Sequence, residues 1–204
     1  MSTPLPAQLT WDARELEFHP AVLDTNIVAR FVFRNEGTRP VKIVSIKSTC
    51  DCSIPELKKK VYAPGEKGEV SAIYPIEEHS GLQEKTVNLR TDDSLVPLTQ
   101  LKFKVYVPDL IKTMPRVLRW QIDEALSPKV MTVAVAREAG AKLCQVKAAD
   151  AKFKGELGTI KDGEEYTLTV TPLNTSQPGL TVLKLRAEIP GQPARTCFAY
   201  AMVK

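Results

Sequence analysis

The 204-residue sequence predicts an all-β chain folded as two tandem β-sandwich modules. Three observations predict it. Short apolar strands recur at the spacing of a sandwich, with almost no helical periodicity between them. Turn signals of the Asn-x-Gly and Pro-Gly type separate those strands. A series of motifs in the first half returns in the same order in the second. Length agrees, since two domains of about 100 residues can each bury a core of their own.

The elements follow in order. Ile27 to Phe33 alternates Ile27, Ala29, Phe31 and Phe33 on one face with Val28, Arg30 and Val32 on the other, and Asn35-Glu36-Gly37 supplies a turn. Val41, Ile43 and Val44 to Ile46 form the next strand. Ala63-Pro64-Gly65-Glu66-Lys67-Gly68 is a turn leading into a strand from Glu69 to Tyr74, and Thr86 to Thr91 follows Gly81. Leu98 to Val107 sets Leu101, Phe103, Val105 and Val107 against Lys102, Lys104 and Tyr106. Pro108-Asp109 stops that strand, because proline has no N–H for the ladder. This meander of antiparallel strands points to an immunoglobulin-like sandwich.

Leu110 to Pro115 reads as a short connector, after which the pattern restarts. Leu9-Thr10-Trp11 has a counterpart in Leu118-Arg119-Trp120, and Val41-Lys42-Ile43 in Ala141-Lys142-Leu143. Gly65-Glu66 before Ser71 to Pro75 matches Gly163-Glu164 before Leu168 to Pro172, and Gly81-Leu82 matches Gly179-Leu180. The expected modules are therefore residues 1–108 and 109–204, the second a divergent copy of the first. Each module's Trp is expected to plug its core rather than to stack a ligand.

Composition narrows the function. At 43% apolar and 25% charged residues the chain matches average globular protein, and a net charge of +4 with scattered Lys and Arg gives no nucleic-acid footprint. Lys58-Lys59-Lys60 reads as a solvated turn. No stretch approaches the roughly 18–20 apolar residues of a membrane-spanning helix. With only His19 and His79, neither beside a Ser or Cys nucleophile motif, no general base for hydrolysis is evident. No Gly-rich phosphate loop precedes a helix. Glu77, Glu78 and Glu84 read as solvated loop charges rather than a glycosidase pair. The chain is expected to be no enzyme and to need no cofactor.

The four cysteines carry the remaining chemistry. Cys50 and Cys52 flank Asp51, and on an extended backbone both sulfurs leave one face with Cα atoms about 6–7 Å apart, wide for an unstrained disulfide. The pair is open to four readings: buried small hydrophobes, a strained redox-active bridge, soft-metal ligation of Cu(I) or Zn, or a bond to another chain. A metal would need further ligands, and nothing in the sequence brings His19 or His79 to the pair. Cys144 and Cys197 lie in apolar strand contexts, where an early and a late strand could bring them together as a disulfide; free buried thiols are the simpler alternative.

The motifs Phe31-Val32-Phe33-Arg34-Asn35-Glu36-Gly37, Pro40-Val41-Lys42-Ile43, Cys50-Asp51-Cys52-Ser53 and Pro64-Gly65-Glu66-Lys67-Gly68 resemble a bacterial domain-of-unknown-function family, numbered 1573. That family is related to Hydin-like and major-sperm-protein-like modules, and the resemblance covers about residues 25 to 108. Its usual Cys-Gly-Cys-Thr is Cys50-Asp51-Cys52-Ser53 here. Family members are often exported, so the resemblance implies the periplasm or cell surface, with any leader already removed from a start such as Met1-Ser2-Thr3-Pro4.

Two functions from different classes follow as expectations. The first is a structural or protein-interaction module of the envelope, such as an accessory or component of a pilus-like or secretion assembly, binding a protein partner or a second copy through sheet edges or end loops. The second is a thiol-redox or copper- or zinc-handling protein centred on Cys50 and Cys52.

Overall fold

The computed structural model describes residues 9–49, 54–76 and 79–204 and is built of strands, with one 3-10 turn at Arg137–Ala139 among the described residues. None of its described helices is long and apolar enough to cross a membrane. The chain divides into two compact units, Met1–Pro108 and Asp109–Lys204.

In the first unit the strands are β1 (Leu9–Trp11), β2 (Glu15–Phe18), β3 (Asn26–Asn35), β4 (Val41–Ser48), β5 (Ile54–Leu57), β6 (Val61–Tyr62), β7 (Lys67–Pro75), β8 (Gly81–Thr91) and β9 (Leu98–Val107). They form two sheets, ordered β1-β3-β7-β5 and β2-β9-β8-β4-β6. Neighbours run antiparallel except β2, which lies parallel to β9 with Leu16 opposite Phe103. Alternation decides which residues go inside. Along β3 the side chains of Ile27, Ala29, Phe31 and Phe33 are buried, as are Leu101, Phe103, Val105 and Val107 along β9. Each large apolar side chain buried in this way stabilises the fold by about 1.5–3 kcal/mol. A bulge between Ile43 and Ser45 turns Val44 outward.

The turn motifs meet at one end of this sandwich. Asn35, fully buried, donates through Nδ2 to the carbonyls of Arg39 (2.8 Å) and Tyr62 (2.9 Å), while its Oδ1 accepts the Gly37 N–H (3.0 Å). Its backbone N–H donates to Glu66 O, and its carbonyl accepts from Gly65 N. Asn35 thus ties the Asn-x-Gly turn to the Pro-Gly turn, satisfying backbone groups that burial would otherwise orphan. Beside it Phe33 packs on Trp11 (4.9 Å between ring centroids) and Tyr62 (4.7 Å). Gly68 lets these rings approach the backbone: a Cβ there would lie 2.3 Å from Phe33 Cζ and 2.5 Å from Tyr62 Cε1.

The second unit contains β10 (Ile111–Met114), β11 (Val117–Trp120), β12 (Lys129–Val135), β13 (Lys142–Ala148), β14 (Phe153–Lys161), β15 (Glu165–Pro172), β16 (Gly179–Glu188) and β17 (Arg195–Val203). Its sheets are ordered β10-β12-β15-β14 and β11-β17-β16-β13. The order repeats that of the first unit strand for strand, down to a parallel pair between β11 and β17; β6 alone has no equivalent. Val135 stands where the first unit has Asn35, and its N–H likewise donates to Glu164 O. The chain then turns through Arg137–Ala139 to Gly140, whose φ of 56° suits glycine.

Two expectations are corrected here. Ile111–Met114, inside the supposed connector, is the edge strand β10, paired with Thr132–Val135 of β12. Its four residues are too few to show alternation against a background of turns. The Leu-x-Trp match also fails as a structural equivalence. Leu9–Trp11 pairs antiparallel with β3, whereas Val117–Trp120 pairs parallel with the last strand and corresponds to β2. Both indoles are nonetheless core residues: Trp120 is fully buried, donates from Nε1 to Ser127 O at 3.0 Å and packs on Phe153.

Candidate interaction surface

Cys50, Asp51 and Cys52 fall outside the described residues, as do Glu77 and Glu78. Glu84 lies on β8 rather than in a loop, with Oε1 3.6 Å from Lys104 Nζ. His19 stacks on Tyr106 (4.6 Å) and is hydrogen-bonded to Glu17, and His79 leans on the Tyr74 ring at 5.2 Å. Among the described residues no group of three or more His, Cys, Asp or Glu could hold a metal ion.

The supposed Cys144–Cys197 bridge is not formed, and both thiols are free. Strand order gives the reason. In the sheet β11-β17-β16-β13 the whole of β16 separates β13 from β17, placing the two backbones about 10 Å apart, beyond disulfide reach. Cys197 also points into the core and Cys144 outward, where its Sγ–H donates to Arg186 O at 3.5 Å. Burial pushes the Cys197 thiol up to about 11, and burial and then nearby Glu188 push the Cys144 thiol up.

The unusual chemistry lies on the outer face of that same sheet. Along β17 the buried side chains are Cys197, Ala199, Ala201 and Val203, while Phe198, Tyr200 and Met202 face outward. Small residues inside and large apolar ones outside invert the usual order. Register assembles the outward residues into rows across three strands. Val117 lies opposite Tyr200, and Tyr200 opposite Val182; Met202 lies opposite Leu180 in the next row. Leu180 is 61% exposed, Tyr200 41% and Phe198 36%. The patch is roughly a few hundred Å², the size of the largest apolar patch on a typical monomer, which is often functional.

The first unit shows the same positions with a different balance of residues. There the row corresponding to Val117, Tyr200 and Val182 is Glu17, Lys104 and Glu84. Lys102 and Glu15 approach to 4.0 Å in the neighbouring row. The row corresponding to Met202 and Leu180 is Tyr106 and Leu82, both exposed, so the two units share that apolar row and differ in the rows of Tyr200 and Phe198, which are charged and paired in the first unit.

Basic side chains rim the apolar rows. Lys142 pairs with Asp162, and Arg186 reaches Glu188 at 3.8 Å. Arg119, Lys147 and Lys184 are exposed and have no salt-bridge partner among the described residues. By contrast, most of the sheet edges are poor docking sites. In the first unit the edge strands β1, β2, β5 and β6 have two to four residues each. The longer edge β14 carries Lys154, Glu156 and Lys161 and shifts register between Thr159 and Lys161, features that discourage an added strand.

Nothing in the sequence motifs pointed to this face. The signal available was the strand Cys197 to Val203, apolar in both phases of its alternation, which leaves the direction of burial undecided until neighbouring strands are placed.

No curated protein matches the chain. Among solved structures, a protein of unknown function from Porphyromonas gingivalis W83 is 13% identical, with 95% of this chain and 99% of that chain covered and a TM-score of 0.35. The ASH / PapD-like domain 7 of human CEP192 is 11% identical, covering 53% and 91%, with a TM-score of 0.41. The E. coli chaperone DraB is 8% identical, covering 94% and 98%, with a TM-score of 0.37. Likenesses at this level carry no functional argument. Residues 9–107, just under half of the chain, match the family described as Protein of unknown function (DUF1573), whose motifs the first half resembles.

Proposed function

We propose that the chain is a non-enzymatic protein-interaction module of the bacterial envelope, placed in the periplasm or at the cell surface, in which the second unit makes the contact. The observation that carries this reading is the outward apolar face of β11, β17 and β16, whose Tyr200 and Phe198 rows stand where the first unit holds ion pairs. Phe198, Tyr200 and Leu180, with Met202 half-buried beside them, form a contiguous apolar surface, and such a patch is often where a protein makes its contacts. The envelope location follows from the family resemblance, and a pilus-like or secretion assembly is the setting it suits.

The test is a photo-crosslinking amino acid placed at Tyr200, with the same group at Lys104 as its counterpart in the first unit, in the bacterium that makes the protein. The reading expects a discrete protein adduct from position 200 and none from 104. Absence of an adduct at 200, or the same adducts from both positions, would overturn it. Osmotic-shock fractionation checks the compartment, with recovery in the cytoplasmic fraction counting against the envelope.

A further inference from the structure

Building on that reading, we infer that the second unit's face accepts a partner protein whose own contact surface is apolar and rimmed with carboxylates. Charge selects this occupant. The outward side of the sheet presents Arg119, Lys147 and Lys184 without an acid partner among the described residues, beside Lys142 and Arg186, which are paired with Asp162 and Glu188. Lys184 lies opposite both Phe198 and Lys147, so two cations share a row with Phe198, next to the row of Val117, Tyr200 and Val182. A second copy docking face to face would gather the same uncompensated cations from both copies around one contact, with no acids to offset them, and like charges at an interface are strongly disfavoured. A partner with acids around an apolar centre meets both needs: Tyr, Phe and Met fill the contact centre, and Arg119, Lys147 and Lys184 find the counterions they lack.

An anionic membrane also combines negative charge with apolar interior, but the geometry disfavours it. Phe198, Tyr200 and Leu180 stand on the flat middle of a sheet, and Val117, Val182 and Met202 are half-buried between their neighbours. Insertion requires apolar groups to reach roughly 5–10 Å below the headgroups, which protruding loops or amphipathic helices achieve. A flat sheet face instead matches a flat or helical protein surface.

The experiment uses the full chain and three probes. The first is an amphipathic peptide of roughly 15 residues with leucines at i, i+3, i+4 and i+7 spacing and glutamates on the flanks; the second has lysines in place of the glutamates; the third is a phosphatidylglycerol vesicle. The expected result is binding of the glutamate peptide at least about tenfold tighter than the lysine peptide, weakening as salt rises. The double variant Arg119→Glu, Lys184→Glu, whose changes are confined to exposed side chains, should reverse that preference while leaving the melting temperature unchanged. Sedimentation velocity should find no self-association that Tyr200→Lys removes. Equal affinity for the two peptides, tighter binding to vesicles than to either peptide, or a dimer abolished by Tyr200→Lys would each overturn the inference. If the peptide preference fails while the crosslink at position 200 persists, the partner class is wrong and the interaction reading stands; if the crosslink fails too, both fall.

Discussion

Replacing Asn35 tests whether the family's Asn-x-Gly motif is a hydrogen-bonding clamp or merely a turn former. Asn35→Ala removes three hydrogen bonds to backbone groups, two from Nδ2 and one to Oδ1. Each is worth about 1 kcal/mol net, and each buried partner left without a replacement costs about 1–3 kcal/mol, so the first unit should lose about 3–5 kcal/mol. For a module of this size that corresponds to a fall of roughly 15–30 °C in its melting temperature. Asn35→Asp separates bonding from volume, because it keeps the shape and the Gly37 contact but sets a carboxylate against the carbonyls of Arg39 and Tyr62. It should cost at least as much as alanine at neutral pH, and acidification that protonates the carboxyl should recover part of the loss. Urea unfolding, read by hydrogen exchange in peptides from β8 and β9, assigns the change to the first unit. An Asn35→Asp protein within about 0.5 kcal/mol of the parent at pH 7 would refute the clamp.

Gly68→Ala should destabilise the first unit by about 1–3 kcal/mol, since its Cβ would enter the Phe33 and Tyr62 rings; combining it with Phe33→Leu should cost less than the sum of the two single changes in a urea-melt cycle. Iodoacetamide at pH 8 should label Cys144 in the native protein and reach Cys197 only after denaturation, as peptide mass mapping would show. The Cys197 thiol has its folded pKa raised to about 11 from 9.0. Its contribution is therefore complete below pH 9 and is lost as pH rises through 11, about 2–3 kcal/mol that should vanish from the pH dependence of unfolding in Cys197→Ala.

Where one face of a strand was plainly apolar and the other plainly charged, the sequence was enough to place it. Leu98 to Val107 is the clear case, its inward residues all buried; in Ile27 to Phe33, where Val28 and Val32 flank Arg30 on the outer face, the larger Phe31 and Phe33 point inward. Short and two-sided strands were less legible. Ile111–Met114 has too few residues to declare a period, and Leu9-Thr10-Trp11 resembles Leu118-Arg119-Trp120 in letters while pairing in a different sheet. The Cys144–Cys197 pairing depended on strand order, which alternation does not encode, and the intervention of β16 settles it. The apolar face escaped for a related reason. Phe198 and Tyr200 would be assigned to the core by size, and only packing against the opposite sheet reveals that Ala199 and Ala201 fill the available space.

The parallel pairs of β2 with β9 and β11 with β17 have a consequence for synthesis. In each unit the last strand is not an edge but sits between the second strand and the penultimate one. A nascent module emerging from the ribosome can form its early hairpins, yet one sheet has a missing interior row until the final ten or so residues arrive. Closure then joins segments almost a whole module apart in sequence, the kind of contact that folds slowly. Each unit is consequently an all-or-nothing product of translation, and a stop within β9 or β17 removes the keystone of a sheet rather than trimming its margin.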